Sequence, residues 1–533
     1  MGDFRHRQPI IKDLYLIDGF GSLLDFTLTT YPHKLSLQTH AGLFEIAFLD
    51  TETLFIGLPE GEVGLRFKVW AEQGHTDRRG GTFKGPYNVA YTTNAKIVSN
   101  IVGQVNGDYF HVELTVRGEA GRGLVLNITP RQGFNRTVRP AADVLAEATQ
   151  RWHGWFAAVP TVDEPYQAQY YYAWWVMRSG LVNSLYYMTR EGMVPSKTHC
   201  VGAWQWDAFF HALAYRHVDT KLAEDQLRIV LDHQREDGMI PGAVYDEGII
   251  THLTAHVDAD VTKPPIIAWT ALKLYQQSGH LDFLNEVYEP LVRWNDWWFR
   301  HDDDRDGIVQ YDHPFSSGLE DSLMQDEGML VEWPDLNVYL CLQMEALAEI
   351  AGLIGETENA EMWKQRSRRL AGRIVEHFYD PSAGLFWPTQ DHKPIRVLTP
   401  FCLYPLWLGR LLDDKIAARL VARLTDPCAF WTACPVPTVA VSDPHYDPEQ
   451  MWRGPTWLNV NYVLIDALVK SGYPDLGRQL RDRTLELVMK HDDIYEYYHP
   501  ETGDHPSRSA PTYGWPAALF IDLVIKASKG EII

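Results

Sequence analysis

Aromatic residues, one arginine and one carboxylate recur in the last fifth of the chain in a pattern that suits a sugar. Residues 452–457 read Trp-Arg-Gly-Pro-Thr-Trp, residues 495–498 read Tyr-Glu-Tyr-Tyr, and Gly-Trp follows at 514–515. Pyranose rings stack their apolar faces on Trp and Tyr, while their hydroxyls need hydrogen-bond partners. Any single tryptophan among the 19 in this chain could equally belong to the core. The combination nevertheless predicts the wall of a carbohydrate-binding pocket.

Two groups of acidic residues could supply the chemistry of glycosidic bond cleavage. That reaction needs one protonated carboxyl to donate to the leaving oxygen and one ionised carboxyl to activate water or attack carbon. Glu320 and Asp321 follow the run Ser-Ser-Gly-Leu, and Glu496 lies between two tyrosines. An acidic pair in a loop is more often solvated surface than a catalytic group. Because the two groups are far apart in the chain, only a fold that returns on itself could bring them together.

The amino-terminal part of the chain has the pattern of an antiparallel β-sandwich. From about 13 to 129, short alternating apolar runs such as 43–49, 64–70 and 111–116 are separated by Gly, Pro and Asn. We therefore predict a β-sandwich domain over 1–135. The next stretch is polar and rich in proline before a helical period begins, which predicts a linker helix within 136–162.

The remainder, 163–533, has a helical period nearly throughout and makes the fold mainly α. Twelve helices are predicted, at 165–188, 204–217, 219–236, 263–279, 281–300, 335–354, 358–378, 401–410, 413–424, 455–471, 474–490 and 513–529. Twelve helices with alternating short and long connections suggest six hairpins in a closed double ring, an (α/α)6 barrel. An open helical solenoid is the alternative, but we see no internal repeat of fixed length that would favour it.

In this order, Trp-Arg-Gly-Pro-x-Trp, Ser-Gly-Leu-acid-acid, Glu-x-Tyr and Gly-Trp resemble glycoside hydrolase family 63 and its clan relatives, the trehalases. The resemblance covers mainly residues 204–515 and implies an (α/α)6 catalytic domain that acts by inversion. It also implies that Glu496 is the general base. The family's general acid is the aspartate of Ser-Gly-x-Asp, whose counterpart here is Glu320. This departure leaves both Glu320 and Asp321 open as the acid, with Glu320 favoured by position.

The same resemblance implies a set of substrate-binding residues. The element Trp-Gln-Trp-Asp at 204–207 contributes Trp204, Gln205 and Asp207, of which the aspartate would bind hydroxyls of the terminal sugar. An equal alternative is that Asp207 caps the following helix. Arg453 corresponds to a sugar-binding arginine. The expected aromatic walls are Trp452, Trp457, Tyr497 and Trp515.

Charge and spacing restrict the partners and cofactors. A net charge of -22 and a pI near 5.4 argue against nucleic acid and anionic membranes, so a small neutral carbohydrate fits best. The acidic run at 302–307 imitates the opening of a calcium loop, but the twelfth residue is His313 in place of the usual glutamate. The five cysteines have neither Cys-x-x-Cys nor zinc-ligand spacing. We therefore predict no metal and no cofactor requirement, with calcium as the disfavoured alternative.

The start of the chain contains no apolar stretch of signal-peptide length, which predicts a cytoplasmic protein. The sequence carries no signal for an oligomeric state. Its most specific prediction is an inverting α-glycosidase acting on a small α-linked glucoside or mannoside, whether a gluco-oligosaccharide, a disaccharide or a glycosylglycerate. The alternatives are another (α/α)6 sugar enzyme, such as a rhamnosidase-like hydrolase or an epimerase, and a carbohydrate-binding protein that has lost catalysis.

Overall fold

The computed structural model describes residues 8–105, 107–184, 186–197, 200–302, 304–326 and 328–533. Asp303 of the acidic run and the first seven residues, on which the predicted location rests, lie outside the described residues. The chain divides into two compact units, Met1–Ala158 and Val159–Ile533. Each unit is described separately.

The first unit contains two antiparallel sheets. One has the strand order β1-β6-β11-β10 and the other the order β2-β3-β4-β5-β12-β9-β8-β7. The strands are β1 (Ile11–Asp18), β2 (Thr27–Tyr31), β3 (Lys34–Thr39), β4 (Gly42–Asp50), β5 (Thr53–Gly57), β6 (Gly61–Trp70), β7 (Gln73–Asp77), β8 (Gly80–Lys84), β9 (Asn88–Thr93), β10 (Lys96–Val105), β11 (Tyr109–Gly118) and β12 (Gly123–Thr129).

Alternating side chains from both sheets meet in one apolar core. Leu65, Phe67 and Val69 of β6 are fully buried, and they share a cluster with Phe44 of β4 and Ile56 of β5. This is the period-two pattern expected when one face of each sheet is buried. The runs predicted at 43–49, 64–70 and 111–116 are confirmed as parts of β4, β6 and β11.

Helix α1 (Ala141–Ala157) follows the last strand and packs against β4. Its Val144 lies in an apolar cluster with Phe55 and Val125, and Ala148 is buried as well. The helix predicted within 136–162 is this element, and it belongs to the first compact unit.

The second unit is helical. Its helices are α2 (Gln167–Ser179), α3 (Gln205–Tyr215), α4 (Thr220–Leu231), α5 (Ile267–Ser278), α6 (Leu281–Arg300), α7 (Pro314–Ser317), α8 (Pro334–Leu353), α9 (Thr357–Phe378), α10 (Asp414–Leu424), α11 (Leu458–Lys470), α12 (Pro474–Met489) and α13 (Gly514–Ser528). Three 3₁₀ segments accompany them, at Glu164–Tyr166, Leu323–Gln325 and Pro400–Leu411.

Short strands lie in the connections between these helices. They are β13 (Leu181–Val182), β14 (Gly192–Met193), β15 (Ala203–Trp204), β16 (Ala243–Tyr245), β17 (Gly248–Ile250), β18 (His252–Leu253), β19 (Ala259–Asp260), β20 (Gln310–Tyr311), β21 (Val331–Glu332), β22 (Tyr379–Asp380), β23 (Leu385–Phe386), β24 (Thr389–Gln390) and β25 (Lys393–Pro394). The largest of their sheets has the order β20-β21-β24-β25.

The helical contacts return to their starting point. Helix α3 contacts α5, α5 contacts α8, α8 contacts the segment Pro400–Leu411, that segment contacts α11, α11 contacts α13, and α13 contacts α3. Helices α2, α4, α6, α9, α10 and α12 each pack against members of this cycle. Every residue of α3 is buried, whereas α10 buries one apolar stripe. Such a difference separates helices enclosed on all sides from helices with one face in solvent.

Two predicted helices differ from the observed elements because of proline. The helix expected from 263 begins at Ile267, since Lys263 precedes Pro264-Pro265, and a residue before proline favours an extended backbone. The helix expected at 401–410 is the 3₁₀ segment, which contains Pro405 and ends near Gly409 with a φ of 56°. Lys263 therefore lies outside the helix, a few residues before the N-terminus of α5.

Helix α8 is the one described helix that is long and apolar enough to span a membrane, and 78% of its most apolar stretch is buried inside the protein. Its burial is that of a core helix, since Val338, Leu340 and Leu347 are fully enclosed.

A buried polar network joins three helices of the cycle. Asp522 of α13 is fully buried and accepts hydrogen bonds from Arg216 at 2.6 Å, His217 at 2.7 Å and Tyr462 of α11 at 2.7 Å. Arg216 and His217 follow the C-terminal end of α3, where the helix dipole favours the positive charge of Arg216. Burial raises the pKa of Asp522, but the charge of Arg216 and the hydrogen bonds from His217 and Tyr462 hold it well below its usual value.

We expect Asp522→Ala to destabilise the helical unit by about 3–5 kcal/mol, because the substitution leaves a buried guanidinium without its partner. Urea unfolding followed by far-ultraviolet circular dichroism measures the loss. The matched control is Asp475→Ala, which removes the exposed pair of Asp475 with Arg478 at 3.0 Å. Equal effects of the two substitutions would show that the network does not stabilise the helical unit.

Candidate active site

One cavity of about 260 Å³ collects most of the residues predicted to act on a sugar. It lies in the helical unit and draws on connections that are remote in the chain. Its lining consists of Cys200, Trp204, Trp206, Asp207, Lys263, Phe315, Gly318, Glu320, Met451, Trp452, Trp457, Glu496, Tyr513 and Trp515.

Amino-terminal ends of the cyclically packed helices converge on this cavity. Asp207 lies in the first turn of α3, Trp457 immediately precedes α11, and Trp515 is in the first turn of α13. The N-terminal end of a helix carries a partial positive charge. The cavity therefore offers favourable dipoles to its three acidic side chains, Asp207, Glu320 and Glu496.

Glu320 presents its carboxyl to the cavity and is held at both oxygens. Lys263 Nζ lies 2.9 Å from Oε1, and Trp452 Nε1 donates to Oε2 at 3.2 Å. The Lys263 side chain is only 1% exposed, so its ammonium depends on this partner. Its Nζ also lies 5.1 Å from the ring centroid of Trp204, within cation–π range.

Asp321 does not line the cavity, although it is adjacent to Glu320. Its Oδ1 accepts a hydrogen bond from the backbone N–H of Trp452 at 2.9 Å. Arg453 Nε donates to the Asp321 carbonyl at 2.8 Å, and the same guanidinium binds Asp326 at 3.0 and 2.5 Å. Arg453 is therefore outside the cavity lining in the structure, and its contact with a sugar stays a prediction. Asp321 and Arg453 join the loop carrying Glu320 to the segment carrying Trp452.

Glu496 reaches the cavity from the segment after α12. Its backbone N–H donates to the Ala510 carbonyl at 2.9 Å, and Thr456 and Tyr498 exchange backbone hydrogen bonds at 2.7 and 3.0 Å. Burial raises the pKa of Glu496 to about 7, hydrogen bonds from Tyr513 and Ala510 oppose the rise, and the charge of Glu320 adds to it. Burial also raises the pKa of Tyr513, which keeps its hydroxyl a donor.

Asp207 faces the cavity, and no side-chain cap of α3 is formed. Burial raises the pKa of Asp207 to about 8, against the attraction of Lys263, and the charges of Glu320 and Glu496 raise it further. Its neighbour Gln205 is fully buried outside the lining, where its Oε1 accepts a hydrogen bond from the Thr262 hydroxyl at 3.0 Å. The contact of Gln205 with the substrate stays a prediction, because the structure places this side chain outside the lining.

Stacked aromatic rings form one side of the cavity. Trp452 and Trp457 stack with centroids 3.7 Å apart and planes 9° apart, and Tyr497 stacks on Trp457 at 4.8 Å. Trp515 meets Trp457 edge-on at 5.5 Å. Tyr497 lies outside the lining and supports Trp457 from behind. The indole N–H groups of Trp204 and Trp515 are buried without a hydrogen-bond partner in the structure.

Several lining residues were not predicted from the sequence. Lys263 was interpreted only as part of a helix start, and Trp206 stands between the two predicted positions of Trp-Gln-Trp-Asp. Tyr513 directly precedes the Gly-Trp pair, which was the available signal. Cys200 and Phe315 carry no motif, so only the fold could reveal them.

Gly318 fixes the approach of the Glu320 loop to the aromatic wall. It has a φ of 72°, which favours glycine, and a Cβ there would lie 2.4 Å from the Trp206 ring. The glycine ends the short helix α7, so the chain reverses immediately before Leu319 and Glu320. A side chain at this position would push the carboxyl-bearing loop away from the cavity.

An aromatic cavity that holds carboxyl groups from remote parts of the chain is characteristic of a glycoside hydrolase. Residues 201–516, more than half of the chain, match the family model of the mannosylglycerate hydrolase MGH1-like glycoside hydrolase domain. The chain therefore belongs to this family, and its resemblance to glycoside hydrolase family 63 is confirmed.

Three relatives illustrate the likeness. The mannosylglycerate hydrolase of Rubrobacter radiotolerans is 24% identical over 406 residues, covering 61% of this chain and 90% of the relative. The family 63 mannosylglycerate hydrolase of Thermus thermophilus, solved with glucose, is 24% identical with a TM-score of 0.57, covering 66% of this chain and 98% of that chain. A bacterial glucoamylase solved with acarbose is 11% identical with a TM-score of 0.59, covering 98% and 89%. At these identities the solved structures support the fold alone.

We expect Gly318→Ala to lower glycosidase activity by up to about 10²-fold, because displacement of a reacting group by about 1 Å can cost that much. The measurement is the steady-state hydrolysis rate, with melting temperature recorded in parallel.

The control is Gly279→Ala. Gly279 has a φ of 67° but nothing within 4 Å of the added Cβ. Both variants should share the backbone cost of about 1–2 kcal/mol, while Gly279→Ala retains activity. Equal activities in the two variants would contradict the steric role of Gly318.

Proposed function

We propose that the protein is an inverting α-glycosidase that hydrolyses a small α-linked glucoside or mannoside. The observation that carries the proposal is that Glu320 and Glu496, remote in sequence, line one cavity walled by tryptophans. An inverting enzyme uses one carboxyl to protonate the leaving oxygen and the other to activate water, with about 6.5–9.5 Å between them. This chemistry uses protein carboxyl groups only, so the proposal includes no organic cofactor.

The proposed fold of the helical unit is an (α/α)6 barrel. The closed cycle of contacts through α3, α5, α8, the segment Pro400–Leu411, α11 and α13 supports it, as does the likeness to the bacterial glucoamylase. In such a ring the amino-terminal helix ends open at one side, where the cavity residues gather. We also propose that the protein is cytoplasmic, as expected from the sequence.

In the proposed mechanism Glu320 is the general acid and Glu496 the general base. Glu320 is favoured over Asp321 because it faces the cavity, whereas the Asp321 carboxylate accepts a hydrogen bond from the Trp452 backbone. Lys263 and Trp452 donate to the two oxygens of Glu320, so proton donation to a substrate requires one of these bonds to be exchanged. The reverse assignment has its own support, since a pKa of about 7 leaves Glu496 half protonated at neutral pH.

Size and charge of the cavity favour a small, neutral glycoside. Its volume of about 260 Å³ lies below the range of about 300–1,000 Å³ that is usual for drug-sized ligands. Among the lining residues described, Lys263 is the only cation, and it is already paired with Glu320. A glycerate carboxylate would compete with Glu320 for that ammonium. The carboxyl of Asp207, which lines the cavity, suits the hydroxyls of a neutral sugar.

The proposal predicts sugar release from at least one member of a panel of α-glycosides, with inversion at the released anomer. The panel contains kojibiose, nigerose, trehalose, glucosylglycerate and mannosylglycerate, and proton NMR of the first turnover reads the anomer. Retention would contradict the inverting mechanism. Saturable binding without release would favour a carbohydrate-binding protein, and an isomerised sugar would favour an epimerase.

We expect Glu320→Gln and Glu496→Gln each to lower turnover by about 10²–10⁴-fold, the usual contribution of a general acid or base. Asp321→Asn is the matched control, because an asparagine oxygen can still accept the hydrogen bond from the Trp452 backbone. It should retain activity within about tenfold, since the expected effect is a small displacement of the loop. Loss in Asp321→Asn with activity kept in Glu320→Gln would transfer the acid role to Asp321.

The pH profile tests which carboxyl is the base. A base with a pKa near 7 is active when ionised, so kcat/KM should rise with pH through about 7 and be lost below it. Tyr513→Phe removes a hydrogen bond that lowers the pKa of Glu496, so the rising limb should move to higher pH.

The control is Tyr446→Phe. The Tyr446 hydroxyl donates to Glu501 at 3.5 Å, and Tyr446 does not line the cavity, so this substitution should leave the rising limb at the same pH. A falling limb near pH 7 that shifts in Tyr513→Phe would make Glu496 the acid and would overturn the assigned roles.

A further inference from the structure

A second cluster of ionisable side chains lies in the helical unit, outside the cavity lining. Asp306 follows α6, Glu332 lies on β21, His377 lies near the end of α9, and His392 occupies the turn between β24 and β25. Each of the four residues offers one nitrogen or carboxylate oxygen, and these four atoms all lie within 4.8 Å of one another. The four residues come from four separate segments of the chain.

His377 is the centre of this His377 cluster. Its Nε2 lies 2.7 Å from Glu332 Oε2, and its Nδ1 lies 3.4 Å from Asp306 Oδ2. The Thr389 hydroxyl donates to the same Glu332 oxygen at 2.5 Å. His392 Nε2 lies 3.1 Å from Asp304, the next acidic residue of the run. The side chains of Glu332 and His377 are 11% and 12% exposed, so the cluster is enclosed on one side and open at His392.

Negative charge exceeds positive charge at this cluster. Asp304, Asp306 and Glu332 carry three carboxylates, and the neighbouring fixed cation is Arg373, whose guanidinium lies 3.5 Å from Asp306. Arg373 is 45% exposed, and its guanidinium also donates to the Asp306 carbonyl at 2.6 Å. The two imidazoles can serve as neutral nitrogen ligands beside these carboxylates.

We propose that the His377 cluster binds a divalent metal ion of the zinc class, with His377, His392, Asp306 and Glu332 as the ligand set. Two imidazoles with carboxylates suit zinc and its first-row neighbours, whereas calcium and magnesium prefer oxygen ligands alone. Zinc ligands lie about 2.0–2.2 Å from the ion, so small side-chain movements from the observed spacing are sufficient. This site differs from the calcium loop considered from the sequence, which would use Asp302, Asp304 and Asp306 without histidine.

The ion would stabilise the small sheet from which the Glu320 loop extends. Glu332 lies on β21, which pairs with β20 (Gln310 opposite Glu332), and the chain continues from β20 through His313 to Gly318 and Glu320. His392 and His377 belong to segments far along the chain, so one ion would tie the loop after α6, β21, α9 and the β24–β25 turn together. The expected consequence is stabilisation of this sheet, independent of whether the cavity hydrolyses a glycoside.

The test is zinc binding to the full-length protein after chelator treatment and removal of the chelator. Isothermal titration with zinc chloride should give one ion per chain, and saturating zinc should raise the melting temperature because it binds the folded state. Co²⁺ in place of zinc should give visible absorption bands that report nitrogen ligands. His392→Ala should weaken zinc binding by at least about 100-fold, since even outer partners of metal ligands are worth about 10–100-fold.

His445→Ala is the matched control. His445 is 63% exposed and pairs with Asp443 at 3.0 Å, while His392 is 64% exposed and pairs with Asp304 at 3.1 Å. Unchanged zinc affinity in His392→Ala, or equal weakening in the two variants, would overturn the proposal. So would the absence of zinc binding by the wild type. Stabilisation by calcium chloride with none by zinc chloride would replace it with an oxygen-only site in the acidic run.

Discussion

The two hydrogen bonds that Trp452 donates hold the candidate site together. Its backbone N–H binds Asp321 and its indole N–H binds Glu320, so one residue fixes two consecutive carboxylates from a remote loop. The Trp452 ring also stacks on Trp457, which places the aromatic wall and the carboxyl group in one rigid unit. Arg453 adds a second link through the Asp321 carbonyl and Asp326. The aromatic wall and the proposed acid are therefore linked through Trp452.

The same cavity brings three acidic side chains together, and the surrounding groups reduce the electrostatic repulsion among them. Asp207, Glu320 and Glu496 face one small volume with Lys263 as their counter-ion, and burial raises the pKa of Asp207 to about 8 and that of Glu496 to about 7. Ionising all three would place like charges together in a poorly solvated space. The helix ends around the cavity and the Tyr513 hydroxyl reduce this repulsion.

The periodicity of apolar residues was sufficient to predict many strands and helices. The site was harder to predict where two residues of similar chemistry could fill the same catalytic role. Strands β4, β6 and β11 follow from alternation, and the predicted helix at 281–300 coincides with α6. The cycle of helix contacts depends on long-range packing, which local sequence does not indicate. The sequence favoured Glu320 over Asp321 by position only, and the structure adds that Glu320 lines the cavity whereas Asp321 does not. Arg453 has the chemistry of a sugar ligand, and in the structure its guanidinium binds Asp326 outside the cavity lining. A residue type states what a side chain can bind, whereas its fold neighbours decide what it does bind.

Lys263 links the charge of the substrate to the state of the proposed acid. Lys263 lies before α5 and outside the predicted helix, because Pro264 and Pro265 follow it. Its buried ammonium contacts Glu320 and lies within cation–π range of the Trp204 ring. A neutral sugar can enter without disturbing this pair. An anionic aglycone gains a cation only by drawing Lys263 away from Glu320, which changes the carboxyl that must deliver the proton. In the proposed mechanism, substrate charge and proton delivery are therefore coupled through the Lys263 ammonium, and a preference between neutral and anionic glycosides would reflect the strength of its ion pair with Glu320.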